Sequence, residues 1–357
     1  MGGSVNVAKN ELTQYTMDSH TLQVLEYHAF LACIGEYAGS ERGTQEIRSL
    51  RPLSSSDQAT GDHPLYNDLM FLARGTGALP QQPCDIPSSV LQRLRPEGAA
   101  LEPDELSLCR SHLDAVKTMH EYARSDACEG LVALRARVEN IEPLDDLRKV
   151  LHHAITERGD IADTASSELA RLRHRIRGLQ VDIQGRLESL LKKSELSEVF
   201  QDAFVTERNR RFVVPVRREM KGRLRGVIHD HSDSGKTLFV EPDAVLAEGN
   251  ELADLKLEER DECQRVLARL SGYLRANLGQ IEQNLVTMAR LDAAMAISRW
   301  AVAYDCSLPT FSGRLSLHDA RHPLLAKQMR TRPDTDVVPL TLDVNEATAA
   351  VAVTGSN

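Results

Sequence analysis

Between Thr206 and Lys236 nine basic side chains, Arg208, Arg210, Arg211, Arg217, Arg218, Lys221, Arg223, Arg225 and Lys236, stand against Glu207, Glu219, Asp230 and Asp233, a local charge of +5. The chain as a whole carries −9. A basic cluster inside an acidic protein is the footprint of a phosphate-backbone contact. From charge alone, a solvated hairpin whose arginines pair with neighbouring carboxylates is an equal reading. Only Phe212 and Phe239 are aromatic here, which disfavours base stacking and single-strand recognition. The second chemical signal is the terminal Ala349–Val353 run followed by Thr354-Gly355-Ser356-Asn357, a buried strand entering a glycine turn. It fits the start of a phosphate-binding loop of the form G-x-x-x-x-G-K-[ST], whose lysine and Mg²⁺-binding hydroxyl would follow residue 357. A strand before a glycine turn is common, and this signal alone is weak.

Other polar groups carry less. His229-Asp230-His231 with Asp233 has the composition of a metal cluster, but no third ligand is placed by spacing, and the group reads as polar residues beside a turn. His152 and His153 are adjacent and face different ways on a helix. Arg171, Arg173, Arg175 and Arg177 wind around a helix at i, i+2 and read as solvated surface. No Ser/His/Asp or Cys/His arrangement is arguable, and six cysteines without a C-x-x-C pair read as buried thiols in a reduced, cytoplasmic protein. No stretch approaches the ~20 apolar residues that span a bilayer.

The elements that must position the basic cluster are helical. With 4% aromatic residues and 14 prolines in 357 residues, the composition suits long helices. Leu22, Leu25, Phe30, Leu31 and Ile34 begin an α-helical core domain over 20–150, after a polar tail at 1–19. Leu169, Leu172, Ile176, Leu179, Ile183, Leu187 and Leu190 recur at threes and fours and predict ascending lever helices over 151–205. Leu252, Leu255, Val266, Leu270, Leu274, Ile281, Leu285, Met288, Leu291 and Met295 predict one descending helix over 244–303. Each is expected to reach about 60 Å and to bury its stripe against the other. Between them, over 206–243, the period changes: Phe212–Val216 and Thr237–Val240 predict a small β unit at the tip of the antiparallel arm. From 304 to 357 short strands are expected at Leu315–Leu317, Ala320–Leu324, Val337-Val338 and the terminal run, opening an α/β domain.

Several segments together resemble the MutS family. Asp319-Ala320-Arg321-His322-Pro323-Leu324, followed by Val353-Thr354-Gly355-Ser356-Asn357, is similar to the start of its ATPase domain, with Ser356 where the family loop has proline. Asn209–Val216, Lys221-Gly222, Gly226–Asp230 and Ser234–Pro242 resemble the clamp of the second bacterial subfamily, the paralogue with a C-terminal Smr nuclease domain. The likeness covers Thr21 to Asn357. It implies a mainly α fold: a helical core, long antiparallel lever helices with a β clamp at the tip, and the first strands of a truncated ATPase domain.

The resemblance also implies partners and chemistry. Arg210, Arg211, Arg217, Arg218, Lys221, Arg223, Arg225 and Lys236 become the candidates for phosphate contacts on duplex or branched DNA, held without mismatch reading so as to suppress recombination. The same arm inserting into a collided ribosome and gripping its RNA is the alternative; a rigid arm that holds a protein partner is the third. Phe239-Val240-Glu241 matches the string of the family's mismatch wedge but reads here as core packing and a strand terminus. Adenine contacts fall to Val337 and Val338 and phosphate contacts to Thr354, Gly355, Ser356 and Asn357, although Pro339-Leu340-Thr341 departs from the family's pattern. ATP with Mg²⁺ and a homodimer are expected of the intact protein, with no cofactor, metal or catalysis in this portion.

Overall fold

The computed structural model of the chain describes residues 17–53, 55–75, 79–80, 85–312, 314–330, 337–344 and 351–352. In chain order its elements are α1 (Ser19–Val24), α2 (Tyr27–Gly35), α3 (Glu41–Ser49), α4 (Ser56–Gly61), α5 (His63–Arg74), α6 (Ser88–Leu94), α7 (Pro103–Arg124), α8 (Val132–Val138), α9 (Asp145–Ala154) and α10 (Ser167–Leu191). Then come β1 (Thr206–Arg208), β2 (Arg211–Arg217), β3 (Gly226–His231), β4 (Thr237–Pro242), α11 (Asp243–Ala276), α12 (Leu278–Ala303), β5 (Leu315–Ala320), α13 (Pro323–Met329) and β6 (Leu340–Val344). The fold is mainly α with small antiparallel sheets, as the resemblance implied. The chain divides into two compact units, residues 1–86, 111–144 and 279–357, and residues 87–110 and 145–278.

In the first unit α12 is buried nearly all round. Met288, Leu291 and Met295 pack with Leu65, Leu69 and Leu72 of α5, Val116 and Met119 of α7, and Leu134 and Val138 of α8. Ala293, Ala296 and Trp300 pack with Leu31, Ile34 and Ile47. Trp300 stacks on Tyr304 at 4.0 Å and meets Phe30 and Tyr37 edge-on. Leu25, expected on the buried face, is 56% exposed, because the chain breaks between α1 and α2 at Glu26, whose φ of 51° no helix continues. β5 and β6 form an antiparallel pair. Of the strands expected near them, Leu315–Leu317 is a strand, but Pro323 and Leu324 open α13, since the fixed φ of proline suits a first helical turn. Val337 and Val338 precede β6 without joining it.

The second unit contains the arm. Ser166 caps α10 by accepting from the Leu169 N–H at 3.0 Å. The predicted stripe is buried: Leu169, Leu172, Ile176, Leu179, Ile183 and Leu187 on α10, and Leu252, Leu255, Val266, Leu270 and Leu274 on α11. Ion pairs Arg186–Glu248, Arg175–Glu251 and Arg173–Glu259 run in opposite chain directions and make the two helices antiparallel. Both are shorter than the expected 60 Å: 25 residues give about 37 Å for α10 and 34 residues about 51 Å for α11. Residues 155–166 and 192–205 are loop, bridge and 3-10 turns instead of helix. The descending helix stops at Asn277, whose φ of −110° and ψ of 13° end α11 while its side-chain amide donates to the Tyr273 carbonyl at 2.9 Å. Periodicity continues through Ile281, which is why the break is invisible in the apolar stripe.

The four-stranded sheet has the order β1-β2-β4-β3 and is antiparallel throughout. Its inner face, Val214, Val216 and Val240, closes over Leu187 and Val245. The Asn209-Arg210 loop between β1 and β2 has φ of 50° and 64°, the positive pair that a two-residue type I′ hairpin demands.

Candidate nucleic-acid interface

The arm accounts for its own arginines. Arg173 bridges Asp163 and Glu259, each at 2.8 Å, and Arg177 joins Asp163 at 3.2 Å. Arg175 reaches Glu251 at 2.8 Å, Arg186 reaches Glu248 at 2.5 Å, and Arg171 reaches Glu168 at 2.7 Å. The i, i+2 series that reads as solvated surface is therefore a ladder of pairs to loop, neighbouring turn and facing helix. The Arg173 hydrogen bond holds the Asp163 carboxyl below the usual aspartate range.

The basic candidates of the sheet behave differently, and the structure divides them. Arg210, at the hairpin loop, is exposed. Arg217 ends β2, and Arg218 follows it with its N–H on the Lys236 carbonyl at 3.0 Å, so Arg217, Arg218 and Lys236 gather at one end of the sheet. Arg223 and Arg225 precede β3 at the opposite end, where the Arg225 carbonyl accepts from Asp243 N–H at 3.1 Å. Arg210, Arg217, Arg223, Arg225 and Lys236 are all exposed and form no ion pair among the described residues. Arg218 and Lys221 donate only to carbonyls, those of Gly235 at 3.2 Å and Gly226 at 3.1 Å. β2 places the two groups of cations about 20 Å apart, at ~3.3 Å per residue over its length.

Arg211 stands apart from its neighbours. Its guanidinium is 23% exposed, lies 3.3 Å from the Glu241 carboxylate and donates to Asn250 at 2.9 Å. Glu241, 2% exposed, also meets His229 Nε2 at 2.6 Å. Arg211 is thus a structural cation inside the β unit, and its proximity to Arg210 in sequence hides that. His229, the extra residue of a β-bulge between Ile228 and Asp230, turns inward to Glu241, while His231 is exposed at the strand's end. Among the described residues no group of three histidine, cysteine or acidic side chains could hold a metal ion. In Phe239-Val240-Glu241, Val240 and Glu241 are buried and Phe239 lies under the Arg208 guanidinium at 4.7 Å. Arg208 further pairs with Asp230 at 3.4 Å, and Asn209 donates to the His229 carbonyl at 2.8 Å, so the hairpin loop folds over β3. Nothing in the sequence pattern marks these contacts, since they join strands twenty to thirty residues apart.

Of the nucleotide candidates, Thr354, Gly355, Ser356 and Asn357 lie outside the described residues. Val337 is half-buried and Val338 is 88% exposed. Among the described residues no helix is long and apolar enough to cross a membrane.

One unit built on a central buried helix, and another in which two long antiparallel helices carry a small basic sheet, define a helical protein with an arm-mounted β unit. No family model matches the chain. It is 30% identical over 346 residues to the endonuclease MutS2 of Shouchella clausii, covering 94% of this chain and 42% of that relative. It is 31% identical over 349 residues to the endonuclease MutS2 of Pelotomaculum thermopropionicum, covering 96% and 42%. The putative endonuclease MutS2 of Bacillus subtilis is 29% identical over 345 residues, covering 96% and 43%. Over nearly all of its own length the chain is similar to MutS2 proteins, and it spans about two fifths of the length of the curated relatives it matches.

Proposed function

We propose that this chain is the core, lever and clamp portion of a MutS2-type protein, and that its β unit grips the phosphate backbone of duplex or branched DNA without reading mismatches. The observation that carries this reading is the contrast in charge compensation. The arm's arginines are consumed by carboxylates, while Arg210, Arg217, Arg223, Arg225 and Lys236 stand exposed on one small sheet and form no ion pair among the described residues, in a chain with net charge −9. Phosphate contacts position a protein without selecting sequence, which suits a sheet with few exposed aromatics. Restraint of recombination is the consequence we propose for the intact protein.

ATP with Mg²⁺, dimerisation and the endonuclease activity in the relatives' names are proposed only for the intact protein. The test is binding to labelled duplex, four-way-junction and structured-RNA probes across a salt series, with Arg217, Arg223 and Arg225 changed to Glu. Salt-dependent binding lost in that variant is expected; each lost phosphate contact lowers the slope of log affinity on log salt by about 0.9. An unchanged slope overturns the reading. Preference for structured RNA over both DNA probes replaces DNA with the ribosome as the target.

A further inference from the structure

We infer that β3 presents its uncovered edge as an apolar wedge, with Val227 on one face and Ile228 on the other, to the minor groove of a DNA duplex, an inference that rests on the nucleic-acid reading above. Successive strand residues point to opposite faces, so a sheet lying on a core buries one of any two neighbours. Val227 is 43% exposed and Ile228 47% exposed, while their partners on β4, Glu241 and Val240, are buried. Both faces of the edge strand are therefore open at this point, next to a strand that is covered. The bulge at His229 interrupts the ladder immediately afterwards. Gly226 seats the start of β3 so closely that a Cβ there would collide with the Glu241 carbonyl.

A single exposed valine needs no explanation; the setting of this pair does. Arg225 lies two residues before Val227 in extended chain, with Arg223 two residues earlier and Leu224 buried between them. After Ile228 the hairpin loop carrying Arg210 is tied down by Asn209 on the His229 carbonyl. The apolar pair is thus bracketed by three exposed guanidiniums. The neighbouring carboxylates are Asp230, already held by Arg208, Glu241, buried against Arg211 and His229, and Asp243, exposed at the start of α11. Cations flanking an uncovered apolar pair complement a polyanion that also offers apolar contact. The minor groove of a duplex, about 6 Å wide, is such a place: guanidiniums enter it and branched aliphatic side chains press between its base steps.

The test uses the 357-residue chain and a DNA duplex with a fluorescent adenine analogue at a central TA step, titrated across salt. The wild type is expected to raise the analogue's fluorescence by unstacking it. V227S/I228S should bind about tenfold more weakly with an unchanged salt slope and no fluorescence rise. R223E/R225E should instead flatten the slope. V227T/I228T, which keeps β-branching, serves if the serine variant melts early. If both Val/Ile variants bind and unstack as the wild type does, or if nothing unstacks, the wedge falls and the phosphate reading stands. If the wild type shows no salt-dependent duplex binding, both fall. Tighter binding to an RNA duplex overturns the assignment to DNA.

Discussion

Glu241 Oε2 lies 2.6 Å from His229 Nε2, and the glutamate side chain is only 2% exposed. Its other oxygen faces Arg211, which also holds Asn250 on α11. One buried carboxylate therefore joins the start of β2, the bulge of β3, the end of β4 and the first turns of α11. Removing one partner of a buried charge network leaves the others unpaired, at a cost of about 3 kcal/mol. Glu241→Ala and Arg211→Ala should each destabilise the second unit by that order, and Arg210→Ala by less than about 0.5 kcal/mol, in urea denaturation. Equal effects at Arg210 and Arg211 would refute the division between them.

Gly249 sits under the same carboxylate. A Cβ there would fall on Glu241 Oε1 and lie 3.2 Å from the Arg211 guanidinium. Gly249→Ala improves helix propensity yet should lose stability, by about 1–3 kcal/mol, because both neighbours are pinned. A variant as stable as the wild type would show that the network relaxes freely.

Acid should loosen the arm through Asp163. Its carboxyl is held below the usual aspartate range, first by the hydrogen bond from Arg173 and then by that from Arg177. A group with a depressed folded-state pKa stabilises fully above its unfolded value, near 3.9, and loses that contribution as pH falls through the folded value. The wild type should lose more stability between pH 5 and pH 2 than Asp163→Asn does, measured as the urea midpoint at each pH. Parallel pH profiles would contradict the linkage.

Thiol labelling should report unfolding at Cys109. Burial first, and Glu105 second, push its thiol up to about 12, and thiolate is the reactive form. At pH 8 Cys109 should label only at the rate of global opening and become fast in denaturant, read by mass spectrometry of its peptide. Rapid labelling in native buffer would mean that α7 opens locally.

In the first unit Asp292 of α12 accepts from the Gly39 and Ser40 N–H groups, both at 2.9 Å, and from the Ser40 hydroxyl at 2.6 Å. A carboxylate from one helix thus secures the start of α3, and a Cβ on Gly43 would strike it. Asp292→Ala should cost about 2 kcal/mol in thermal or urea unfolding. A change below about 0.5 kcal/mol would reduce this contact to surface decoration.

What the sequence determined by itself is which faces are buried. The stripe from Leu169 to Leu190 is buried except at its last position, where Leu190 is half-buried, and that from Leu252 to Met295 is buried at every named position, because helix periodicity is a local property of the chain. The change of period after Arg211 likewise placed the sheet, and its composition placed the positive charge. What the tertiary structure decided is which charges are already spent. Arg175 and Glu251 lie 76 residues apart in sequence, and Arg211 and Glu241 lie 30 apart. A charge is neutralised by whatever comes within a few ångströms in space, and no spacing along the chain encodes that. The same limit explains why Arg210 and Arg211 look alike in sequence, while one faces solvent from a hairpin loop and the other closes a buried carboxylate. The exposure of Val227 and Ile228 is likewise invisible in the sequence, since it depends on how far the sheet's cover extends beyond β4.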